Sequence, residues 1–552
     1  MRIAIDLQGI QSADSRLRGI GRYSFEIVKN IIDSSSDHEY ILFSNGALKD
    51  VRFEFKNQLK RFNVSYFVWY SPCPLDYRNE FIPQFTLAKY LRSYALSILN
   101  IDILFITSFM EGFNDNSLTE IDNDIFKGSV VTIFYDLIPL LNSNLYLKNN
   151  PKYESFYESK IKRLKQLDAV LAISSSSANE VTNYLQFSSE NVFNISSACD
   201  KEIFNSYRTL STQEFLNSGN LTPFILYVGA GDPRKNVKNL LCAFSKLPRE
   251  YSKYKLILAG KLTREEVQLL DQCIYDYYIE PASVIKIGYV SDDDLVFLYR
   301  HCSVFVFPSL HEGFSLPLLE AMSCGAPVIG SNCTSIPEII GNDKAMFDPY
   351  NVDQICKLIV KEISDVDFRS ELIRNAQIQS DKFSWLKTSI SALKACKKVV
   401  ARKDIKYSID SWSKVKQISI DKLNELIDKI QGNIVIQKYF SDNDYSLLSA
   451  CLDKMNVQLE AYHRIRLTTK PIRSWRVEGP FDSSYSLAIL NRCFFESLNN
   501  NIESISLQNT EGPGDYKPDL TYLKKYPLIY NVCINSSNLF NESEVVSRNL
   551  YP

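Results

Sequence analysis

Strand-length apolar runs recur along this 552-residue chain, and most are followed by a loop and a stretch with helical spacing. That alternation narrows the choice of fold more than any other feature. Parallel strands need a long crossover to return to the same edge, and a helix makes that crossover while covering one face of the sheet. "RIAIDL" leads through a polar loop into "GIGRYSFEIVKNII", where Ile20, Tyr23, Ile27 and Ile31 fall on one helical face. Similar runs follow at "YILFSN", "VSYFVWY", "DILFIT", "VVTIFYDLIPL" and "AVLAIS". A first doubly wound α/β domain is therefore expected over residues 1–205, ending where "ISSACDKEIF" gives way to a polar stretch.

The pattern then restarts with "PFILYVGA", "KLILAG", "VIKIGYV", "CSVFVFPSL", "APVIGS" and "KAMFDP", predicting a second such domain over residues 206–385. Doubly wound sheets bind ligands beyond the carboxyl ends of their strands, so two facing domains predict a ligand crevice between them. Residues 386–470 read as a helical linker, with "ISIDKLNELIDKIQGNIV" and "YSLLSACLDKM" as its helices. Residues 471–552 open on "WRVEGPFDSSYSLAILNRCFFESL", a third strand, glycine loop and helix.

Composition removes several classes of function. Lys plus Arg is 62 against 64 for Asp plus Glu, so no overall field draws nucleic acid, and any anion site must be local. The 12 cysteines include no C-x-x-C pair, and the four histidines are dispersed, so no metal site is expected. The scattered cysteines read as small buried residues in a reducing compartment. The amino terminus carries Asp6 and lacks the apolar core of a signal peptide, and no run is long enough to span a bilayer. A cytoplasmic protein is expected, compatible with peripheral contact at the inner face of a membrane.

Candidate site residues cluster in "PSLHEGFSLPLLEAMSCGAPVIGS", residues 308–331. Pro317 suits a first helical turn, which leaves Glu312 in the preceding loop and Glu320 about one turn inside. Backbone N–H groups around Gly313, Phe314, Ser315 and Leu316 would then converge at the positive helix end, where phosphate or sugar oxygens bind. Taken alone, two acids at a helix start serve capping more often than ligand binding. "LYVGAGDPRKN" sets Arg234 and Lys235 at another helix start, either a solvated basic turn or a pair that neutralises a diphosphate. Gly19 and Gly21 form either a plain turn or a place where backbone approaches a ligand.

The wider text "PSLHEGFSLPLLEAMSCGAPVIGS…SIPEIIG…AMFDP" resembles the donor-binding signature of family 4 of the retaining glycosyltransferases, whose fold is GT-B. The resemblance covers residues 1 to about 395 and implies two Rossmann-like domains, the first on the acceptor side and the second holding the donor. It implies that Glu312 contacts the transferred sugar and Glu320 the nucleotide ribose. By the same likeness Lys235 and Arg234 stabilise the diphosphate, and the loop of Gly19 and Gly21 approaches donor or acceptor. Many relatives carry an Arg directly after the strand's glycine, where this chain has Ala230, and Arg234 stands in for it. "YDLIP" resembles a segment that usually begins with His, so Tyr135 replaces a residue that often lines the reacting sugar, while Asp136 is retained. Asp200 falls in a structural interdomain turn, and "FSW" at 383–385 starts a helix that crosses back to the first domain.

The resemblance implies a metal-independent retaining transferase without a cofactor. It would move a hexose, with mannose on GDP favoured, from a nucleotide diphosphate sugar to a glycan or lipid-linked glycan of a bacterial surface polysaccharide. The donor diphosphate itself would take the acceptor proton. Residues 471–552 resemble the first part of a further glycosyltransferase unit. The rival reading is a catalytically weakened subunit that binds glycans or scaffolds an assembly complex, which Tyr135 and Ala230 favour.

Overall fold

The computed structural model describes residues 1–71, 73–75, 83–207, 223–403, 450–459, 474–479 and 504–509. Seven parallel strands form the first sheet, in the order β3-β2-β1-β4-β5-β6-β7. They are β1 (Arg2–Asp6), β2 (Glu39–Asn45), β3 (Val64–Trp69), β4 (Ile103–Ile106), β5 (Ser129–Phe134), β6 (Ala169–Ala172) and β7 (Val192–Asn194). Central strands such as β1 are buried along their whole length, because helices cover both faces of the sheet. Strand β7 was not foreseen in the sequence; its three residues, Val-Phe-Asn, sit partly exposed at the sheet edge.

Six parallel strands form the second sheet, in the order β10-β9-β8-β11-β12-β13. Here β8 is Phe224–Val228, β9 Lys255–Ala259, β10 Val284–Gly288, β11 Val304–Phe307, β12 Val328–Ser331 and β13 Met346–Phe347. Both sheets reverse their winding beside the first strand of the domain, between β1 and β4 and between β8 and β11. Crossovers leave in opposite directions at these points, which opens the crevice where ligands bind.

The helix Gly19–Ser34 buries Tyr23, Ile27, Val28, Ile31 and Ile32 on its sheet-facing side. Against it packs the helix Trp385–Arg402, N-capped by Ser384, with Trp385 edge-on to Tyr23 at 5.1 Å between ring centres. The end of that helix is fastened to the first domain by Arg402 to Asn191 (2.6 Å) and Lys403 to Asp168 (2.8 Å). The chain therefore leaves the first domain after β7, builds the second and returns at 381–384. Lys201 and Asp381, one from each passage, form an ion pair of 2.7 Å.

The strands β14 (Ser474–Gly479) and β15 (Ser504–Asn509) form a separate parallel pair, in register from Ser474 opposite Ser504 to Gly479 opposite Asn509. They belong to a second compact unit, Leu452–Pro552, distinct from Met1–Cys451. The glycine loop and helix expected after β14, and the helix expected at 418–435, lie outside the described residues; 450–459 is helical. No described helix is long and apolar enough to cross a membrane.

Candidate active site

Strand β11 runs into the loop that carries Glu312, and the helix Leu316–Ser323 follows with Pro317 in its first turn. The Glu312 carboxylate is buried and meets two cations, Lys235 Nζ at 2.7 Å and Arg234 Nη1 at 3.0 Å. Both cations come from the single turn Pro233–Lys235 after β8, which Asp232 caps by accepting the Arg234 N–H at 3.0 Å. Asn236 ends the turn in the left-handed region at φ 58°, a conformation Asn tolerates better than most side chains. Its side-chain amide donates to the carbonyls of Pro308 (3.1 Å) and Pro349 (2.8 Å), which fixes the basic turn beside the Glu312 loop.

Burial would raise the Glu312 carboxyl, but the charges of Lys235 and Arg234 outweigh it and hold the group below the ordinary carboxylate range. Burial opposes the Arg234 charge in turn, and Glu312 and Asp232 more than compensate and raise it. Glu312 is thus an anion clamped between cations at neutral pH, suited to accepting hydrogen bonds and unsuited to taking a proton.

Glu320 has a different environment. It is buried on its helix, with the Tyr299 hydroxyl and Arg22 Nη1 each 3.3 Å from its carboxylate. Arg22 reaches across the crevice from the start of the Gly19–Ser34 helix, and its Nη2 also pairs with Asp292 at 3.1 Å. Burial, reinforced by Asp292 and opposed by Arg22, pushes the Glu320 carboxyl up to about 7. Arg22 follows the second glycine of "GIGR" and escaped the sequence reading; its position beside that loop was the available signal.

At the centre the two domains touch. Gly313 packs against Tyr135, whose carbonyl oxygen fills the space where a Cβ would stand, with the Asp136 Cβ next to it. The Ser177 hydroxyl lies 2.6 Å from the Tyr135 carbonyl and 3.1 Å from that of Gly313. Asp136 accepts the Ile138 N–H at 3.0 Å, and burial raises its carboxyl above the ordinary value.

Several candidate residues stand in places the sequence did not convey. The Tyr135 hydroxyl turns into the first domain, 3.0 Å from both Ser24 Oγ and the Thr107 carbonyl. The space beside Gly21 is filled by its own loop, since a Cβ there would meet the Ser15 carbonyl at 2.5 Å, whereas no described residue crowds Gly19. Phe314 faces Phe383 edge-on at 5.8 Å, which leaves its main chain for any ligand. Ser315 precedes the helix with its hydroxyl buried and without a hydrogen-bond partner among the described residues. Leu316 packs against the core. His311, also unforeseen, pairs with Glu180 of the first domain at 2.7 Å.

Residues 212–379, which carry both cations and both glutamates, match the family model for glycosyl transferases group 1. Over 402 residues the chain is 37% identical to the serotype-specific mannosyltransferase WbdA of Escherichia coli, covering 71% of this chain and 47% of that protein. Over residues 212–379 the chain therefore carries a group 1 glycosyl transferase segment. It spans about half the length of the WbdA proteins it matches, 45–47% of each. It is also 29% identical to the O-antigen chain mannosyltransferase B of Escherichia coli over 397 residues, 69% of this chain and 96% of the relative. Among solved structures, Anabaena Alr3699/HepE in complex with UDP and glucose superposes with a TM-score of 0.52 at 18% identity, covering 72% of this chain and all of that one (100%). The sucrose-phosphate synthase of Thermosynechococcus elongatus gives 0.54 at 16% identity, over 73% of this chain and 100% of its own. At such identities the likeness concerns the fold, which is GT-B. The crevice carries an anion locked to two cations and a second acid shared between the domains.

Proposed function

We propose that this chain moves a hexose, with mannose on GDP favoured, to a glycan acceptor in bacterial surface polysaccharide synthesis, with retention at the anomeric carbon. The observation that carries the reading is the buried Glu312–Lys235–Arg234 cluster beside the start of the Leu316–Ser323 helix. Glu312, kept anionic, accepts hydrogen bonds from hydroxyls of the transferred sugar. Lys235 has further N–H donors beyond the one on Glu312, and Arg234 likewise, so both can meet the diphosphate as its charge grows. The main-chain N–H groups at 313–316 and the helix dipole add to that stabilisation. Glu320 accepts from the nucleotide ribose. The bond between C1 and the diphosphate oxygen breaks as the acceptor oxygen bonds C1 on the same face, and the acceptor proton passes to the departing phosphate oxygen.

The mannosyltransferase names of the similar proteins support the sugar and the pathway class, while the UDP in HepE makes the base the point to test. Thermal unfolding with GDP, UDP, GDP-mannose and UDP-glucose, followed by turnover with and without EDTA, tests the whole reading. A ligand at 100 times its dissociation constant adds ~2.7 kcal/mol. GDP and GDP-mannose are expected to stabilise, and turnover to survive EDTA. Stabilisation by uridine nucleotides alone overturns the donor, and EDTA inhibition reversed by magnesium or manganese overturns metal independence. No response to any nucleotide returns the choice to a glycan-binding or scaffold subunit, the reading that Tyr135 and Ala230 favour.

A further inference from the structure

Beside His311, the residue that precedes Glu312, the crevice opens into a cavity of about 500 Å³. Small-molecule sites fall in the range of about 300–1,000 Å³. The first domain contributes Asn142 and the helix Ser175–Leu185, and the second contributes His311, Thr334 and Glu338. Thr334 is shared with the donor loop, since its Oγ1 accepts the Glu312 N–H at 3.1 Å.

One face of the helix forms most of a wall. Ser176, Asn179, Asn183 and Tyr184 recur at helical spacing and line the cavity, and their side chains make no hydrogen bond to another described residue. Behind them Val181 and Leu185 are buried in the domain. Hydrogen-bonding groups of both senses therefore stand ready along the wall. Tyr184 is 57% exposed and offers an aromatic face with a polar edge. The floor is already satisfied: Glu180 accepts from His311 at 2.7 Å and from the Leu137 N–H at 2.7 Å. Glu338 accepts the Ser175 N–H at 2.7 Å. Among the described residues no Lys or Arg lines the cavity and two carboxylates do, a balance that disfavours phosphates and phospholipid headgroups.

We propose that this cavity holds the acceptor, as the terminal residues of a neutral oligosaccharide. The Tyr184 ring lies against a sugar face, and the Asn179 and Asn183 amides meet ring hydroxyls. The proposal deepens the transferase reading and rests on it for direction: nucleotide towards Glu320, transferred sugar at Glu312, acceptor beyond.

The test is saturation-transfer NMR of α-mannotriose with the full chain in the presence of GDP. It compares wild type, Tyr184→Ala, the double variant Asn179→Ala/Asn183→Ala, and Tyr275→Ala, which alters a tyrosine 79% exposed on the helix Arg264–Asp276 outside the cavity. Tyr184→Ala is expected to weaken mannotriose binding about tenfold, and the double variant to weaken it by at least as much. Tyr275→Ala should bind as wild type, and unchanged unfolding midpoints show that all variants are folded. Wild-type affinity in both cavity variants overturns the proposal, as does a wild-type chain that binds no mannotriose. A chain that binds mannotriose through Tyr184 but consumes no nucleotide sugar keeps the cavity and removes the transferase reading.

Discussion

Glu312→Gln isolates the central charge cluster, because Gln keeps the shape and one acceptor oxygen while removing the anion. The wild-type carboxylate makes contacts of 2.7 and 3.0 Å to cations whose side chains are only 13% and 22% exposed. Removing one member of a well-buried ion pair costs about 3–5 kcal/mol. The hydrogen bond that Gln retains, and the partial exposure of Arg234, bring the expectation to about 2 kcal/mol. For a domain of this size that lowers the unfolding midpoint by about 4–8 °C. The two cations hold the folded Glu312 carboxyl below its ordinary value despite its burial. Its contribution is therefore complete above the unfolded-state pKa of about 4.5 and is lost as pH falls through the depressed folded value. Differential scanning calorimetry at neutral and acid pH should show a gap between wild type and variant that closes on acidification. GDP should stabilise the variant at least as much as wild type, since a diphosphate supplies the anion Lys235 and Arg234 have lost, while mannose transfer is abolished. Equal midpoints at neutral pH, or a gap that persists in acid, would refute this account of the cluster.

Two further outcomes are expected. Arg22→Ala removes the cation that opposes burial and Asp292 at Glu320, so a carboxyl already pushed up to about 7 rises further. Nucleotide affinity, measured calorimetrically at about pH 6 and about pH 8, should then fall more on acidification than in wild type, and an identical pH profile would count against Glu320 as the ribose acceptor. A chain ended after Lys403 should keep nucleotide affinity and donor hydrolysis, because the helix Trp385–Arg402 already closes onto the first domain through Tyr23, Asn191 and Asp168. Loss of both, with circular dichroism showing a folded remainder, would give residues 404–552 a part in the site.

The strands were legible because parallel strands covered on both faces must be apolar throughout, as "RIAID" and "VFVF" are. Strand β7 was not, since an edge strand of three residues carries no such run. Glu312, Lys235 and Arg234 stood out through the resemblance of their segments to a donor-binding signature, since acids and cations at helix starts have common structural uses of their own. The fold brings the three into one cluster. The pairs Arg22–Glu320 and His311–Glu180 join residues 298 and 131 positions apart, and no local pattern records such a contact. Gly19 and Gly21 look equivalent in "GIG", yet the fold leaves one open and packs a loop against the other. The direction of the Tyr135 hydroxyl was equally hidden, because it depends on Ser24 and Thr107 from two other segments.

The two passages between the domains, side by side at Lys201 and Asp381, have a mechanical consequence. The ion pair is exposed and contributes little energy, but it marks where two covalent connections run together. A pair of adjacent connections behaves as a door hinge: the domains can swing, while sliding along the crevice would shear both. Each swing must bring the Gly313 loop back to the same register against Tyr135. The chain's own route thereby limits how the two domains can meet at that contact.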